Sequence, residues 1–181
     1  MSFLVHMSLI IRSFLEIVLL IRPPQDLPSD RRLLYAVVLS YFLVGVLMLW
    51  PQLGAMVSVL VVVADIIVSI AFIQVVLYLK KHPGRMTQTL TAVMGAGTLI
   101  SIMMLPLVYG IYTAAEGEDV PSLVAVGIYV LFAWSITINA HIFRYAFDLA
   151  NFFFGLLYAL GMYVVSEIVM ALLFGAQLGG A

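Results

Sequence analysis

The sequence predicts an all-α membrane protein, a polytopic bundle of five transmembrane helices preceded by an amphipathic interfacial helix. The first observation is composition: 65% of the residues are hydrophobic, 9% are charged and the mean hydropathy is +1.19. Charged residues make up about a quarter of soluble domains, so this balance indicates an integral membrane protein. The second observation is that the apolar runs are continuous instead of alternating, which argues against a β-barrel.

Five apolar runs are each long enough to cross about 30 Å of hydrocarbon at about 1.5 Å per residue. Proline, glycine or charged residues separate the runs, and such residues end membrane helices. The predicted crossings are residues 33–51, 55–79, 88–112, 121–143 and 151–174. We therefore divide the chain into an interfacial helix, a proline-containing cytoplasmic linker, a transmembrane domain and a short outer tail, at residues 1–22, 23–32, 33–174 and 175–181.

The N-terminal segment is predicted to lie in the plane of the membrane surface. On a helical wheel one arc is polar, with Ser2, His6, Ser8, Arg12, Ser13 and Glu16. The opposite arc is apolar, with Phe3, Leu4, Ile10, Phe14 and Ile17. If this segment crossed the membrane, Arg12 and Glu16 would lie near the middle of the bilayer, where charged side chains are energetically unfavourable. A sixth inserted helix is the alternative, because the segment is very hydrophobic for a surface helix.

The basic residues predict the orientation. If the N-terminus is cytoplasmic and the crossings alternate, every Lys and Arg is cytoplasmic, namely Arg12, Arg22, Arg31, Arg32, Lys80, Lys81, Arg85 and Arg144. The outer side then holds the C-terminal tail and an acidic loop with Glu116, Glu118 and Asp119. An anionic cytoplasmic leaflet is the expected lipid partner. The alternative is that these charges only set the topology.

Several segments resemble the bacterial branch of the Yip1 family. They are "IRPPQDLPSDRRLL", "KKHPGRMTQTLTAVMGAGTLISIMMLP" and "WSITINAHIFRYAFDL", and the likeness extends over nearly the full chain. The resemblance implies a cytoplasmic N-terminus, five membrane helices and an outer C-terminus, in a bacterial inner membrane. It also implies a non-enzymatic protein that organises membrane or docks a protein partner.

Catalytic motifs are missing from the sequence, so no enzyme activity, cofactor or metal is expected. There is no serine nucleophile elbow, zinc-binding histidine pair or phosphate-binding glycine loop. The chain has no cysteine, and its three histidines, His6, His82 and His141, are far apart in sequence. A net charge of −1 and the lack of a basic tail argue against a nucleic-acid partner.

A polar cluster is predicted where the fourth crossing meets its cytoplasmic turn. As a candidate site for a lipid headgroup or small anion it comprises Lys80, Lys81, Arg85, Asn139, His141, Arg144 and Asp148. Arg144 and Asp148 have the i, i+4 spacing of an ion pair. Ser135 and Asn139 share one face that can hydrogen-bond a neighbouring helix. The alternative is a capped, ion-paired helical hairpin without a ligand.

Two acids fall inside the predicted crossings and form a candidate proton or ion site. Asp65 and Glu167 are predicted at similar depth, where they face each other or each bond a neighbouring helix. An ionised carboxylate there costs several kcal/mol unless it is protonated or is reached by water or a cation. Small residues on the third crossing predict close helix packing, at Gly95, Gly97 and Thr98.

Three functions remain open at this point. The first is a protein that organises membrane or docks a partner, as the resemblance implies. The second is an accessory subunit of a larger membrane complex, or a homo-oligomer, because the chain is almost entirely apolar helix. The third is a small proton- or ion-coupled transporter that uses Asp65 and Glu167.

Overall fold

A computed structural model describes the backbone of residues 2–113 and 122–178, and the side chains of residues 9–112 and 122–175. The described residues contain helices and no strand. The helices are α1 (Ser2–Val18), α2 (Arg31–Leu79), α3 (Met86–Thr113), α4 (Ser122–Ala146) and α5 (Phe152–Leu178). Of these, α2 to α5 are long and apolar enough to cross a membrane. The predicted acidic loop, with Glu116, Glu118 and Asp119, and tail residues 179–181 lie outside the described residues.

The 49-residue α2 is interrupted at Gly54. This glycine has φ 71° and ψ 167°, a backbone conformation that residues with a Cβ rarely adopt. Pro51, three residues earlier, lacks the N–H that a continuing helix needs. The predicted break between the first two crossings falls at this point.

The chain reverses direction at the interruption. The hydroxyl of Tyr41 donates to the carboxylate of Asp65 at 2.7 Å, although the two residues are 24 positions apart. In a straight helix they would be about 36 Å apart. Thus α2 consists of two antiparallel halves, residues 31–53 and 55–79, and the described chain has four or five helices able to span a membrane, depending on whether the halves count separately.

Close contacts at glycines bring the helices together. A Cβ on Gly155 of α5 would run into the carbonyl oxygen of Ala140 and the backbone N–H of Arg144, so α4 and α5 touch backbone to backbone. On α3, Gly95 lies under the ring of Phe14 and Gly97 lies against a neighbouring tyrosine ring. These positions hold the packing surface that the third predicted crossing suggested. Thr98 on the same helix is buried and bonds the carbonyl oxygen one turn earlier.

The described part of α1 packs along the bundle. Phe14 and Ile17, from its predicted apolar arc, are buried. Phe14 contacts Gly95, nine residues and about 13 Å inside α3. Ser13, from the predicted polar arc, is also buried and accepts a hydrogen bond from the guanidinium of Arg22. The exposed side of this stretch is largely apolar, with Leu9, Ile11, Leu15 and Leu19.

Three helices end in the same way at the end of the bundle that carries the basic residues. A non-glycine residue with positive φ follows α1, α2 and α4, namely Leu20, Lys81 and Asp148. In each case the next backbone N–H bonds a carbonyl oxygen five residues back, with N···O distances of 2.8, 2.9 and 2.8 Å at Ile21, His82 and Leu149. These bonds satisfy carbonyls that a helix end leaves open.

Candidate functional site

The carboxylate of Asp65 is the centre of a polar cluster inside the bundle. One carboxylate oxygen accepts a hydrogen bond from Tyr41 at 2.7 Å and the other accepts from Ser166 at 2.9 Å. Tyr41 lies on the first half of α2, Asp65 on the second half and Ser166 on α5. Three helical segments therefore meet at one side chain. Hydrogen bonds to a carboxylate are stronger than hydrogen bonds between neutral groups, so both bonds offset the cost of partly burying this carboxylate.

A small cavity adjoins this carboxylate. Its volume is about 70 Å³, and a water molecule in the liquid occupies about 30 Å³. Its polar lining comes from both halves of α2, from α4 and from α5, with Tyr41, Asp65, Ser69, Asn139, Tyr163 and Ser166. The cavity can therefore hold one or two small polar species beside the carboxylate.

A second hydrogen-bond group joins α4 to α5 at the cavity. The hydroxyls of Ser135 and Tyr163 are 2.9 Å apart, and the amide nitrogen of Asn139 donates to the Tyr163 oxygen at 3.3 Å. This confirms the prediction that Ser135 and Asn139 hydrogen-bond a neighbouring helix. The amide oxygen of Asn139 is buried and has no hydrogen-bond partner among the described residues.

The structure does not bring Asp65 and Glu167 together. Ser166, one residue earlier on α5, takes the place beside Asp65. Glu167 is exposed on the outward face and has no hydrogen bond or ion pair within the described part of the chain. Successive residues on a helix point about 100° apart, so a shared depth does not give a shared face. Apolar side chains surround Glu167 on this face, with Val164 and Ile168 more than half exposed.

The residues of the predicted headgroup or anion cluster lie in different places and make different contacts. Asn139 lies in the interior, beside the Asp65 cavity. The buried ring of His141 hydrogen-bonds the carbonyl oxygen of Arg22 at 3.1 Å and so holds the segment after α1 against α4. The guanidinium of Arg85 donates to the last carbonyl oxygens of α4, those of Tyr145 and Ala146, at 3.0 and 3.2 Å.

The predicted ion pair between Arg144 and Asp148 is not formed. The i, i+4 spacing requires a continuous helix, but α4 ends at Ala146 and Asp148 has φ 53°. The carboxylate of Asp148 instead lies 3.9 Å from the ring of His82, and the Arg144 guanidinium lies over the Tyr145 ring, 5.2 Å from its centre. The alternative of a capped, ion-paired hairpin therefore lacks the expected Arg144–Asp148 pair.

The two lysines of the predicted cluster are exposed. The Lys80 ammonium lies 5.6 Å from the centre of the Tyr158 ring, and Lys81 occupies the positive-φ position after α2. They therefore remain available at the surface, but the described residues do not gather the seven predicted side chains into one pocket.

Sequence reasoning missed two partners of Asp65. Tyr41 follows Ser40 and Ser166 precedes Glu167, and their place as polar residues within apolar runs is the signal that the sequence offers for them. It also missed Gln88, whose amide donates to the carbonyl oxygens of Gln25 and Leu27 at 2.8 Å each and so fixes the linker before α2.

Comparison of the chain with protein-family models, with curated proteins and with solved structures finds no match. The resemblance to the Yip1 family therefore stays a prediction. Within the described ranges, no group of three or more His, Cys, Asp or Glu side chains is placed to hold a metal ion. The candidate functional features are thus the Asp65 cluster and the outward face of α5.

Proposed function

We propose that this chain is a non-enzymatic integral membrane protein of Yip1-like type that docks another membrane protein through the outward face of α5. The two halves of α2 would each cross the bilayer, which together with α3, α4 and α5 makes five crossings. The seven Lys and Arg residues that follow α1 would then be cytoplasmic, in contact with an anionic leaflet.

Glu167 is the observation that carries this proposal. It lies eight residues, about 12 Å along the helix axis, from Gly175, so it would sit within the hydrocarbon. Ionisable side chains inside membranes usually face a bundle interior or a watery cavity, because exposure to lipid is costly. A partner helix that brings a hydrogen-bond donor or a cation to this depth would remove that cost.

The surface around Glu167 suits a helix. Glu167, Ala171 and Gly175 follow one another at i, i+4 and i+8 and are all exposed. A Cβ placed on Gly175 would meet nothing within 4 Å. Small residues at this spacing allow a second backbone to approach closely. We call these three residues the α5 strip.

A different protein suits the α5 strip better than a second copy of this chain. In a parallel two-fold dimer the strip would face itself, and Glu167 would then lie opposite Glu167. Like charges at close range repel strongly in a low dielectric. The expected partner is a membrane helix with small residues and a Lys, Arg or hydroxyl side chain at the depth of Glu167, which makes this chain an accessory subunit.

A matched pair of substitutions tests the docking surface. Ala171→Leu would fill the α5 strip, whereas Ala133→Leu adds the same side chain at an exposed position of α4. After gentle solubilisation from the native membrane, native mass spectrometry should find a stoichiometric heteromer with wild type and with Ala133→Leu. Ala171→Leu should yield the free chain. A free wild-type monomer, a homo-oligomer, or equal behaviour of the two variants would refute the proposal.

The proposed orientation has its own test, because the chain lacks cysteine. Gln52→Cys, in the reversal between the halves of α2, should react with a membrane-impermeant thiol reagent added from outside. Gly84→Cys, whose Cβ has open space around it, should react after the membrane is permeabilised. The opposite labelling pattern would overturn the orientation.

For α1 we propose the inserted alternative. Its exposed side is apolar and Phe14 contacts α3 well inside that helix, both of which suit a segment embedded beside the bundle. Glu16 forms ion pairs with Arg12 at 2.8 Å and with Arg22 at 3.0 Å, which reduces the cost of these charges.

A further inference from the structure

We propose that the cavity beside Asp65 binds one monovalent alkali cation, with Na⁺ as the ion. The inference is independent of partner docking, because it concerns the interior face of α5 and not the α5 strip. Its basis is the set of oxygen atoms around the cavity, the charge of Asp65 and one buried acceptor without a partner.

The cavity is lined by residues that carry oxygen atoms. Asp65 has a carboxylate, Asn139 has an amide, and Tyr41, Ser69 and Ser166 have hydroxyl groups. The hydroxyl hydrogens of Tyr41 and Ser166 point to Asp65, so their oxygens keep lone pairs for another donor or a cation. Carboxylate, carbonyl and hydroxyl oxygens are the ligands that hard cations prefer.

Asn139 provides the second, independent observation. Its side chain is 9% exposed, its nitrogen is used by Tyr163, and its oxygen has no partner among the described residues. A buried acceptor left without a partner is energetically unfavourable. Asn139 lines the same cavity as Asp65, so a cation bound there would lie beside the residue that carries this unpaired oxygen.

Charge and size favour a monovalent ion. Asp65 has no ion-pair partner among the described residues, so its single negative charge would be neutralised by one positive charge. Divalent sites commonly gather several carboxylates, and this cavity has one. A volume of about 70 Å³ accommodates one small ion together with a water molecule.

The experiment measures binding of radioactive ²²Na⁺ to the full chain in nanodiscs of neutral lipid, with choline replacing Na⁺ at constant ionic strength. Wild type should bind one ²²Na⁺ per chain, and unlabelled Na⁺ should displace it. Saturating Na⁺ should also raise Tm by about 3 °C or more relative to choline.

Variants identify the site. Asp65→Asn should lose binding and the rise in Tm. Asp26→Asn makes the same chemical change at an exposed carboxylate outside the cavity and should keep both. Should Asp65→Asn fail to fold, Asn139→Ala and Ser69→Ala each remove one oxygen ligand and should weaken binding roughly tenfold, which corresponds to about 1.4 kcal/mol.

Three results would overturn the proposal. One is wild type that binds no ²²Na⁺ and melts at the same temperature in Na⁺ and choline, which means that only water or a proton occupies the cavity. Another is equal binding by wild type and Asp65→Asn. The third is unchanged binding in both Asn139→Ala and Ser69→Ala. If wild type binds Na⁺ but forms no heteromer, that result refutes the docking proposal and leaves the Na⁺ site standing.

Discussion

Neighbouring polar residues on the inward and outward faces of α5 differ in whether they have hydrogen-bond partners. Ser166 points into the bundle and donates to Asp65, whereas Glu167 is exposed among apolar side chains. Both lie at nearly the same depth along the helix. On the inward face the chain itself supplies partners for polar groups. On the outward face the described chain supplies none, and this difference is what points to a partner from outside.

The largest expected effect concerns the packing of the inward face. Gly155→Ala would place a Cβ against the carbonyl oxygen of Ala140, and backbone atoms cannot move aside as a flexible side chain can. We expect the free energy of unfolding to fall by about 2–3 kcal/mol. Denaturant titration of the purified protein in detergent measures this change.

Gly161→Ala is the matched control on the same helix. Nothing lies within 4 Å of a Cβ at this position, so the variant should be unchanged or more stable by about 0.5–1 kcal/mol. Equal destabilisation of the two variants would show that the close approach of α4 and α5 at Gly155 does not control stability.

The next effect concerns the hydrogen bonds on the inward face. Tyr41→Phe removes one of the two donors to the Asp65 carboxylate and should lower the free energy of unfolding by about 1.5–3 kcal/mol. Tyr35→Phe makes the same change at an exposed position on the same half of α2 and should alter stability little. A loss of the same size in both variants would contradict the central role of the Asp65 carboxylate.

The smallest expected effect on stability belongs to the outward face. Glu167→Gln should change the free energy of unfolding of the isolated chain by less than about 0.5 kcal/mol, since no described residue contacts the carboxylate through a hydrogen bond or ion pair. The same variant should weaken the heteromer, measured by native mass spectrometry. A large loss of stability in the isolated chain would mean that Glu167 has an internal partner.

The helix bounds could be predicted closely from the sequence. The predicted crossings 88–112 and 121–143 correspond to Met86–Thr113 and Ser122–Ala146. Continuous apolar runs and the residues that interrupt them are local properties, so they need no knowledge of neighbouring helices. The break before residue 55 was visible for the same reason, because Pro51 and Gly54 both disfavour a continuing helix.

The partners within the site could not be predicted in the same way. Depth follows from counting residues, but the rotation of a helix depends on the side chains that it meets. Depth alone therefore pairs Asp65 with Glu167, whereas the structure places Ser166 beside Asp65. The expected pair of Arg144 and Asp148 does not form because α4 ends between them.

The reversal at Gly54 bears on how the protein enters its membrane. For the two halves of α2 to insert, only the short segment "PQLG" between them must pass to the far side, and it carries no charge. The two halves bond to each other through Tyr41 and Asp65, so the carboxylate finds its donor within the same hairpin. The hairpin can therefore enter the bilayer as one unit, with its partly buried carboxylate already hydrogen-bonded to Tyr41 before α5 arrives.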